Sequence, residues 1–301
     1  MAHAEYPLAT LVVLFYKHER FVEDTVAGAL SQTYPNLEII FSDDNSPDGT
    51  FEVLKKAVEG YDGPHKIILN RNEKNLGLVP HVNKLLFELS GGEFLFLNGG
   101  DDISLPERVS IGVDYFQSNP SVMAVSGSYL TIDKDGKETG ERGVFDRDTL
   151  LHVDDRKYLQ SDSFMTGGVA LCFRKAVLDK FGRLGDDCQT EDSVLRFRSL
   201  LLGPVLRSSK LLLKYRVHDS NISRNIRNFS TRKIASQYRT DLDAAKELIS
   251  PELYRKLVKK IRHYTRIRLL QERQSVSPRL FRPLYEFARK ALRLAHILSS
   301  R

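Results

Sequence analysis

Short apolar runs alternate with segments of helical periodicity through the first third of this 301-residue chain. Patterns of buried strands cover residues 8–15, 37–44, 65–70 and 93–99. Strands that alternate with helices predict a mainly parallel sheet with helices on its faces. Such a sheet binds ligands at the carboxyl ends of its strands. The residues directly after each run are therefore the first candidates for a functional site.

The helices of this first third are predicted at residues 21–31, 50–59 and 79–89, because apolar residues recur there at helical spacing. After residue 110 the pattern is less regular. The sequence predicts a strand at 122–133, a polar irregular and mobile loop at 134–160, a strand running into a helix at 167–182, a helix at 190–203 and an edge strand at 210–219.

Charge is divided unevenly along the chain. Residues 224–301 contain 20 Lys and Arg against 6 Asp and Glu, whereas residues 1–223 carry a net charge of −8. Helical patterns cover 229–249, 251–273 and 279–298 of this basic tail. Two interpretations stay open: the tail binds a polyanion such as an anionic membrane surface, or it docks on the acidic body or on another subunit in an oligomer.

The cysteines and the apolar runs indicate the cellular compartment in which the protein is expected. Cys172 and Cys188 provide neither a disulfide framework nor a metal-ligand spacing, which favours a reducing environment. The sequence contains no run of 18 apolar residues, the length that a membrane-spanning helix needs. The N-terminus lacks a signal-peptide pattern. We therefore expect a cytoplasmic protein that reaches the inner face of the membrane, if at all, through its tail.

Two pairs of adjacent acids, residues 43–44 and 101–102, follow predicted strands where the sheet would bind a ligand, and a third pair, residues 191–192, begins a predicted helix further along the chain. Adjacent carboxylates repel each other and are costly to bury, so a protein cation, a metal ion or bulk water must compensate them. Hard oxygen ligands suit Mg²⁺ or Mn²⁺, which combine carboxylates with substrate phosphates. A further carboxylate nearby could act as a base.

Several classes of protein are disfavoured by motifs that the sequence lacks. It contains no P-loop, no G-x-S-x-G elbow and no dinucleotide-binding fingerprint, which argues against a P-loop kinase, a serine hydrolase and a dehydrogenase. A nucleotidyltransferase would need a Gly-rich basic loop at residues 11–20, where none occurs. A nucleic-acid-binding module would need an aromatic platform or a recognised motif, and neither is found.

Four segments together resemble the family 2 inverting glycosyltransferases, which have the GT-A fold. They are LVVLFYKHERFVEDTVAGALSQTYPNLEIIFSDDNSPDGT, NLGLVPHVNKLLFELSGGEFLFLNGGDDISLPERV, TEDSVLRFRSLL and YRVHDSNIS. The resemblance implies a catalytic domain at residues 1–225, followed by a basic helical extension at 226–301. It also implies transfer of a sugar from a nucleotide-diphospho-sugar, most readily a UDP-sugar, to a hydroxyl of a glycan or lipid-linked acceptor in polysaccharide biosynthesis.

The resemblance assigns the nucleotide to residues that follow the predicted strands. The positions that match the family's nucleotide-binding segments are Phe15, Tyr16, Glu19, Asp43, Asp44, Ser46, Asn75 and Gly100. A carboxylate among them could accept the imide N–H of uracil or thymine. For the two aspartates and the serine, turn capping is the alternative interpretation.

The pair at residues 101–102 resembles the metal-binding D-x-D motif of the family, with Gly99 in place of the first aspartate. The resemblance makes Asp101 the ligand of Mn²⁺ or Mg²⁺ and Asp102 a further ligand or a supporting acid. His218 would complete the ligand set or contact the diphosphate. Neutral imidazole suits Mn²⁺ better than Mg²⁺.

The remaining assignments concern the reaction and the sugars. Glu191 and Asp192 resemble the catalytic E-D pair, with Asp192 as the base and Glu191 positioning it or the acceptor. Arg216 either offsets the charge of the leaving diphosphate or pairs with an acid of the body. Gly167 and Gly168, in the motif MTGGV, would line the sugar pocket, unless they only form a tight turn before a strand.

Overall fold

A computed structural model describes residues 6–164, 170–221, 229–276, 290–292 and 294. The strands are β1 Ala9–Phe15, β2 Leu37–Asp43, β3 Lys66–Arg71, β4 Phe94–Gly99, β5 Ile103–Ser104, β6 Ala124–Ile132, β7 Glu138–Gly143, β8 Thr149–Leu151, β9 Ala170–Arg174 and β10 Val205–Arg216. The helices are α1 Val22–Leu30, α2 Thr50–Val58, α3 Leu78–Lys84, α4 Arg108–Ser118, α5 Arg156–Leu159, α6 Ala176–Phe181, α7 Glu191–Leu202, α8 Thr231–Ala244 and α9 Pro251–Val276. A π-helical turn, Leu85–Leu89, extends α3, and a 3₁₀ turn, Lys246–Leu248, follows α8.

The strands of the described residues form one mixed sheet in the order β3-β2-β1-β4-β9-β6-β10-β5, with β7 beside β6 and β8 beside β10. Strand β1 is parallel to both β2 and β4, and β10 is parallel to β6. Strand β9 is antiparallel to its neighbours β4 and β6. The predicted mainly parallel sheet is thus confirmed, with β9 inserted against the prevailing direction.

The central strand β1 is an apolar run because helices and neighbouring strands surround it. Six of its seven residues are buried, as is usual for a parallel strand covered on both faces. Its register sets Phe15 opposite Asp43 of β2, and Leu14 opposite Gly99 of β4. The carboxyl ends of these three strands therefore meet at one edge of the sheet, and the loops that follow them carry the candidate site.

Three local predictions need correction. Residues 134–160, predicted as an irregular loop, contain β7, β8 and the short helix α5. Strand β7 forms because residues 129–132 of β6, which lie beyond its pairing with β9, bond to it. The strand predicted at the edge, residues 210–219, is the long β10 between β6 and β5; its Leu212 and Leu213 are both buried. The helix predicted at 79–89 divides into α3 and the π-helical turn.

The chain separates into two compact units. The first contains residues 1–150, 167–184 and 205–219, and the second contains residues 151–166, 185–204 and 220–301. An aromatic cluster forms the centre of the second unit, where Phe164 stacks on Tyr238 at 4.2 Å and meets Phe197 and Tyr264 edge-on. The boundary predicted between residues 225 and 226 stays a prediction.

The described part of the chain contains no helix with the length and apolarity needed to cross a membrane. The helix predicted at 279–298 lies outside the described residues, apart from residues 290–292 and 294.

Candidate active site

The two adjacent acids after β4 occupy different environments. Asp101 keeps 14% of its side chain exposed, and its Oδ2 lies 2.9 Å from Nε2 of His218 and 4.0 Å from Nε2 of His18. Burial alone would raise the pKa of Asp101, but the hydrogen bond to His218 and the charges of both imidazoles hold it below its usual value. Asp101 is therefore an anionic group at the edge of the sheet.

Asp102 points inward. It is 6% exposed, and its Oδ1 accepts the backbone N–H of Arg216 at 2.9 Å. Burial, together with the charge of Asp101, raises the pKa of Asp102 well above its usual value, although Arg216 and Arg108 oppose the shift. This placement suits a supporting acid, and a ligand role for Asp102 stays a prediction.

Two buried arginines are protein cations near the acid pair, one of the three forms of compensation that the sequence left open. Arg108, on α4, donates to Oδ1 of Asn98 at 2.6 Å, to Oγ of Ser104 at 2.8 Å and to the carbonyl of Leu97 at 2.5 Å. These bonds fix the end of β4, from which the acid pair projects. The sequence analysis missed Arg108; its position six residues after the second acid was the available signal.

Arg216, at the end of β10, is the second buried cation. Its Nε donates to the carbonyl of Asp101 at 2.9 Å, and its Nη2 pairs with Asp24 of α1 at 2.7 Å. The guanidinium is 1% exposed and lies over the ring of Phe21, 4.9 Å from its centre. Arg216 is thus paired with an acid of the body, and its role in offsetting the charge of a leaving diphosphate stays a prediction.

A glycine is required where the acid loop passes the end of β1. A Cβ on Gly100 would lie 2.6 Å from the carbonyl oxygen of Leu14, a distance that Cβ atoms do not tolerate. The carbonyl of Gly100 also accepts the hydroxyl of Thr25, on α1, at 3.1 Å. Gly100 thus lets the loop pass close to β1 and brings Asp101 towards the β1–α1 loop.

His18 was not singled out from the sequence, and the structure brings it beside Asp101. Its backbone N–H donates to Oγ1 of Thr50, and that of Lys17 donates to Oγ of Ser46, both at 2.9 Å. Lys17 has a φ of 60°, in the left-handed region that non-glycine residues seldom adopt. Burial lowers the pKa of His18, and the charge of Asp101 opposes that effect. The strained loop therefore holds an imidazole at the edge of the sheet.

The acids after β2 organise the neighbouring loops. Asp43 accepts the backbone N–H and the hydroxyl of Ser46 at 3.0 and 2.5 Å. Asp44 accepts N–H groups of Asn72, Leu76 and Gly77 at 2.8 to 2.9 Å. These are turn-capping contacts, and a contact with a nucleotide base stays a prediction.

The other predicted nucleotide-binding residues differ in exposure. Phe15 is buried in the core and is 1% exposed, whereas Tyr16 is 39% exposed. Glu19 accepts the backbone N–H of Gly49 at 3.0 Å. Oδ1 of Asn75 accepts the backbone N–H of Gly77 at 2.8 Å. Tyr16 is thus the aromatic side chain of this set with a surface to offer a ligand.

The pair that begins α7 belongs to the second unit. Asp192 pairs with the guanidinium of Arg196, one turn further along α7, and accepts the backbone N–H of Ser193 at 2.7 Å. Burial and the charge of Asp192 raise the pKa of Glu191 to about 7, while Arg196 opposes the shift. The two carboxyls therefore differ in proton affinity. Gly167 and Gly168 lie outside the described residues.

The side chains at this edge provide two adjacent donors for a metal ion, Asp101 and His218. Among the residues that the structure describes, no group of three or more His, Cys, Asp or Glu is arranged to hold a metal ion. Asp101 and His218 nevertheless supply one hard oxygen and one imidazole nitrogen, a donor set that suits Mn²⁺. Because divalent ions complete their coordination with substrate phosphates, these two donors fit a cation that is shared with a diphosphate.

Solved structures share this arrangement of sheet and helices. TarS 1-349 of S. aureus superposes with a TM-score of 0.65 at 14% identity, over 97% of this chain and 90% of that chain. The mannosyltransferase PcManGT from Pyrobaculum calidifontis, in complex with GDP-Man and Mn²⁺, gives 0.57 at 15% identity, over 99% and 86%. The fold, with acids at the carboxyl edge of a mainly parallel sheet, is the GT-A fold.

The chain belongs to glycosyl transferase family 2, because the sequence model of that family matches residues 10–181. An uncharacterized glycosyltransferase of Haemophilus influenzae is 28% identical over 229 residues, 72% of this chain and 68% of that protein. The putative glycosyltransferase EpsE of Bacillus subtilis is 30% identical over 138 residues, 46% of this chain and 47% of EpsE. The chain thus spans about two thirds of the first relative and about half of the second. The resemblance deduced from the motifs is confirmed.

Proposed function

We propose that this protein is an inverting glycosyltransferase that transfers a sugar from a UDP-sugar to a hydroxyl of a glycan or lipid-linked acceptor. The observation that carries the proposal is the position of Asp101 at the carboxyl edge of the sheet, with His18 and His218 beside it. A relative from Escherichia coli, WfaP, is named as a UDP-Glc:alpha-D-GlcNAc-diphosphoundecaprenol beta-1,3-glucosyltransferase. TarS was solved with UDP-GlcNAc. These names support a UDP-sugar donor and a surface-polysaccharide or lipid-linked acceptor.

On the donor side, the exposed ring of Tyr16 offers a stacking face to the base, and Asp43 or Asp44 offers acceptor oxygens. Asp101 and His218 would hold Mn²⁺ or Mg²⁺. A bound divalent ion would offset the charge that develops on the leaving diphosphate. The buried guanidinium of Arg216 adds a fixed positive charge behind Asp101.

On the acceptor side, Asp192 is the proposed base and Glu191 its partner. The acceptor oxygen forms a bond to the anomeric carbon while the bond from that carbon to the diphosphate oxygen breaks. The hydroxyl proton passes to the carboxylate, and the electron pair of the broken bond leaves with the nucleoside diphosphate. Attack opposite the leaving group inverts the anomeric centre. A base of this kind contributes on the order of 10²- to 10⁴-fold in rate.

The basic C-terminal segment extends the proposal to the place of reaction. With 20 basic and 6 acidic residues, positions 224–301 would attract an anionic membrane surface, where a lipid-linked acceptor is held. We therefore expect the protein to act on the cytoplasmic face of the membrane. Co-sedimentation with phosphatidylglycerol vesicles should exceed that with phosphatidylcholine vesicles at low salt; equal sedimentation would remove this part of the proposal.

Donor binding is tested by thermal shift with UDP, UDP-Glc, UDP-GlcNAc and GDP-Man, each with and without Mn²⁺. A ligand at 100 times its dissociation constant stabilises the fold by about 2.7 kcal/mol. Asp101→Asn should abolish the Mn²⁺-dependent part of the shift, whereas Asp62→Asn, at an exposed acid, should leave it unchanged. No shift with any nucleotide would contradict the proposal.

Transfer is tested next with α-GlcNAc-diphosphate carrying a short alkyl chain as the acceptor. Asp192→Asn should keep the donor-induced shift and lose at least 100-fold in transfer rate. The anomeric proton coupling of the product, measured by NMR, reports inversion. A product that retains the donor's anomeric configuration would exclude single displacement.

A further inference from the structure

The imidazole of His18 stands at the carboxyl edge of the sheet, within the first unit of the chain. Its Nε2 lies 4.0 Å from Oδ2 of Asp101, which is longer than a hydrogen bond. Nε2 of His218 lies 2.9 Å from the same oxygen and is the imidazole nitrogen that bonds to it. Nδ1 of His18 accepts the backbone N–H of Tyr16 at 3.5 Å, so Nε2 carries the hydrogen. In the part of the chain that the structure describes, this N–H has no hydrogen-bond acceptor.

Packing fixes the orientation of this ring. A Cβ on Gly100 would lie 2.6 Å from Nδ1 of His18, so the acid loop packs directly against the imidazole. The rings of Phe15 and Phe21 lie 6.4 and 6.3 Å from it, centre to centre. The side chain keeps 20% of its surface exposed. An imidazole that is enclosed on several sides, with its N–H beside an open edge, is already oriented for a ligand.

Neither the loop nor the neighbouring acid requires an imidazole at position 18. The loop is anchored there by the main chain, because the backbone N–H of His18 donates to Oγ1 of Thr50 at 2.9 Å. Any residue except proline would provide the same N–H. Asp101 already has an imidazole partner in His218. The ring of His18 therefore has a role that these contacts do not explain.

The neighbours of His18 indicate which ligand its N–H meets. A largely buried N–H without an acceptor is costly unless a water molecule or a ligand bonds to it. Asp101 and His218 provide donors that fit a cation shared with a diphosphate, so phosphate oxygens belong at this edge when the sugar donor is bound. A phosphate oxygen accepts a strong, charge-assisted hydrogen bond from an N–H group. His18 therefore lies where we expect the diphosphate.

The order of the strands indicates which of the two phosphates lies beside His18. The proposed base-binding residues Tyr16 and Asp43 follow β1 and β2, whereas Asp101 follows β4 on the other side of β1. Neighbouring strands are about 4.8 Å apart, so about 10 Å separates β2 from β4. A nucleotide that extends along this edge from its base to its phosphates brings the second phosphate towards Asp101 and His18.

We propose that His18 is a specificity-determining residue for the sugar donor: its Nε2–H donates a hydrogen bond to the second phosphate and so selects nucleoside diphosphates over nucleoside monophosphates. This rests on the proposed function, which places the diphosphate beside Asp101. The contact transfers no proton. It also differs from metal ligation, because a nitrogen that binds a metal ion carries no hydrogen.

Titration calorimetry with UDP and UMP, each with Mg²⁺, tests the inference without a transfer assay. His18→Phe keeps a ring but has no N–H, so UDP binding should weaken about 10- to 100-fold and UMP binding by less than about twofold. His18→Gln, whose amide N–H replaces that of Nε2, should bind UDP within about threefold of the wild type. His152→Phe, at an exposed histidine, is the matched control and should bind both as the wild type does. Equal losses for UDP and UMP in His18→Phe, or no loss, would overturn the inference.

NMR of the wild type covers the case in which His18→Phe does not fold. The nitrogen resonance of Nε2 is read through the carbon-bound ring protons, and His18 is identified by its proximity to the rings of Phe15 and Phe21. With UDP and Mg²⁺ the resonance should shift and stay in the range of a protonated nitrogen, whereas UMP should leave it unchanged. A resonance that UDP leaves unchanged would overturn the inference. A resonance that leaves the protonated range would make His18 a metal ligand and would overturn it equally.

Inorganic pyrophosphate, compared with inorganic phosphate, separates this inference from the proposed function. If pyrophosphate with Mg²⁺ shifts the Nε2 resonance of His18 while no nucleotide binds, the diphosphate contact stands and the nucleotide-sugar proposal fails. If UDP binds and the resonance does not change, the proposed donor stands and the role of His18 fails. A wild type that binds neither UDP nor pyrophosphate would overturn both.

Discussion

Glu191, the first residue of α7, gives the most quantitative test, because its proton affinity differs between the folded and unfolded chain. Burial and the charge of Asp192 raise its pKa from 4.5 to about 7. Between these values the folded carboxyl keeps a proton that the unfolded chain has released. The free energy of unfolding therefore falls as the pH rises from 4.5 to 7, and it stays level above that range.

The magnitude follows from the separation of the two pKa values. They differ by about 2.5, and each unit corresponds to about 1.36 kcal/mol, so the effect is at most about 3 kcal/mol. Glu191→Gln replaces the carboxyl by a neutral group of the same shape and removes this pH dependence. At pH 8 the variant should be more stable than the wild type by up to about 3 kcal/mol, whereas at pH 4.5 the two should differ little.

Urea unfolding followed by circular dichroism measures this difference, since the chain contains no tryptophan for fluorescence. Asp186→Asn, at an exposed acid shortly before α7, is the matched control and should keep the pH dependence of the wild type. If Glu191→Gln and the wild type lose stability in parallel between pH 5 and pH 8, the argument from burial and the charge of Asp192 is wrong.

Three further predictions concern the edge of the sheet, and urea unfolding measures each of them. Gly100→Ala should lower the free energy of unfolding by about 1–3 kcal/mol, because the new Cβ would lie 2.6 Å from the carbonyl oxygen of Leu14. An unchanged urea midpoint would mean that the loop has room for the methyl group. Arg108→Met should lower the free energy of unfolding by about 3 kcal/mol, because it leaves buried acceptors without a donor. The surface control Arg183→Met should lower it by less than about 0.5 kcal/mol. Equal losses in the two variants would refute the role given to the buried guanidinium. Lys17→Gly should stabilise the protein by about 1 kcal/mol, since glycine adopts a φ of 60° without strain, and a loss of stability would show that the lysine side chain outweighs the strain.

The sequence predicted those features of the fold that follow from local pattern. Apolar runs such as residues 8–15 and 37–44 alternate with helical periodicity, and this pattern specifies parallel strands and the edge at which they end. The acid pair at residues 101–102 was found for the same reason, since its place after a strand could be read from the pattern. Turn chemistry also identified the capping contacts that Asp43 makes.

What compensates the acids could not be read from local pattern, because the partners come from distant segments. Arg216 reaches the carbonyl of Asp101 across 115 positions, and His18 approaches the same residue through a backbone conformation that its neighbour Lys17 adopts against its preference. The antiparallel insertion of β9 between β4 and β6 was missed for a similar reason. Strand direction depends on the path of the chain, whereas an apolar run indicates only that a strand is buried.

The electrostatics of the site explain why a cation would enter with the substrate. Arg108 and Arg216 neutralise the inward side of the acid loop, where Asp102 lies, and the imidazoles of His18 and His218 share the single carboxylate that faces outward. Burial lowers the pKa of His18, and the pKa of Asp101 lies below its usual value, so the edge carries an anionic group before a ligand arrives. A diphosphate brings about two further negative charges next to Asp101, and close like charges are strongly unfavourable where water is excluded. An additional positive charge would offset this repulsion. The nucleotide and the divalent ion should therefore bind cooperatively, each raising the affinity of the protein for the other by the same factor.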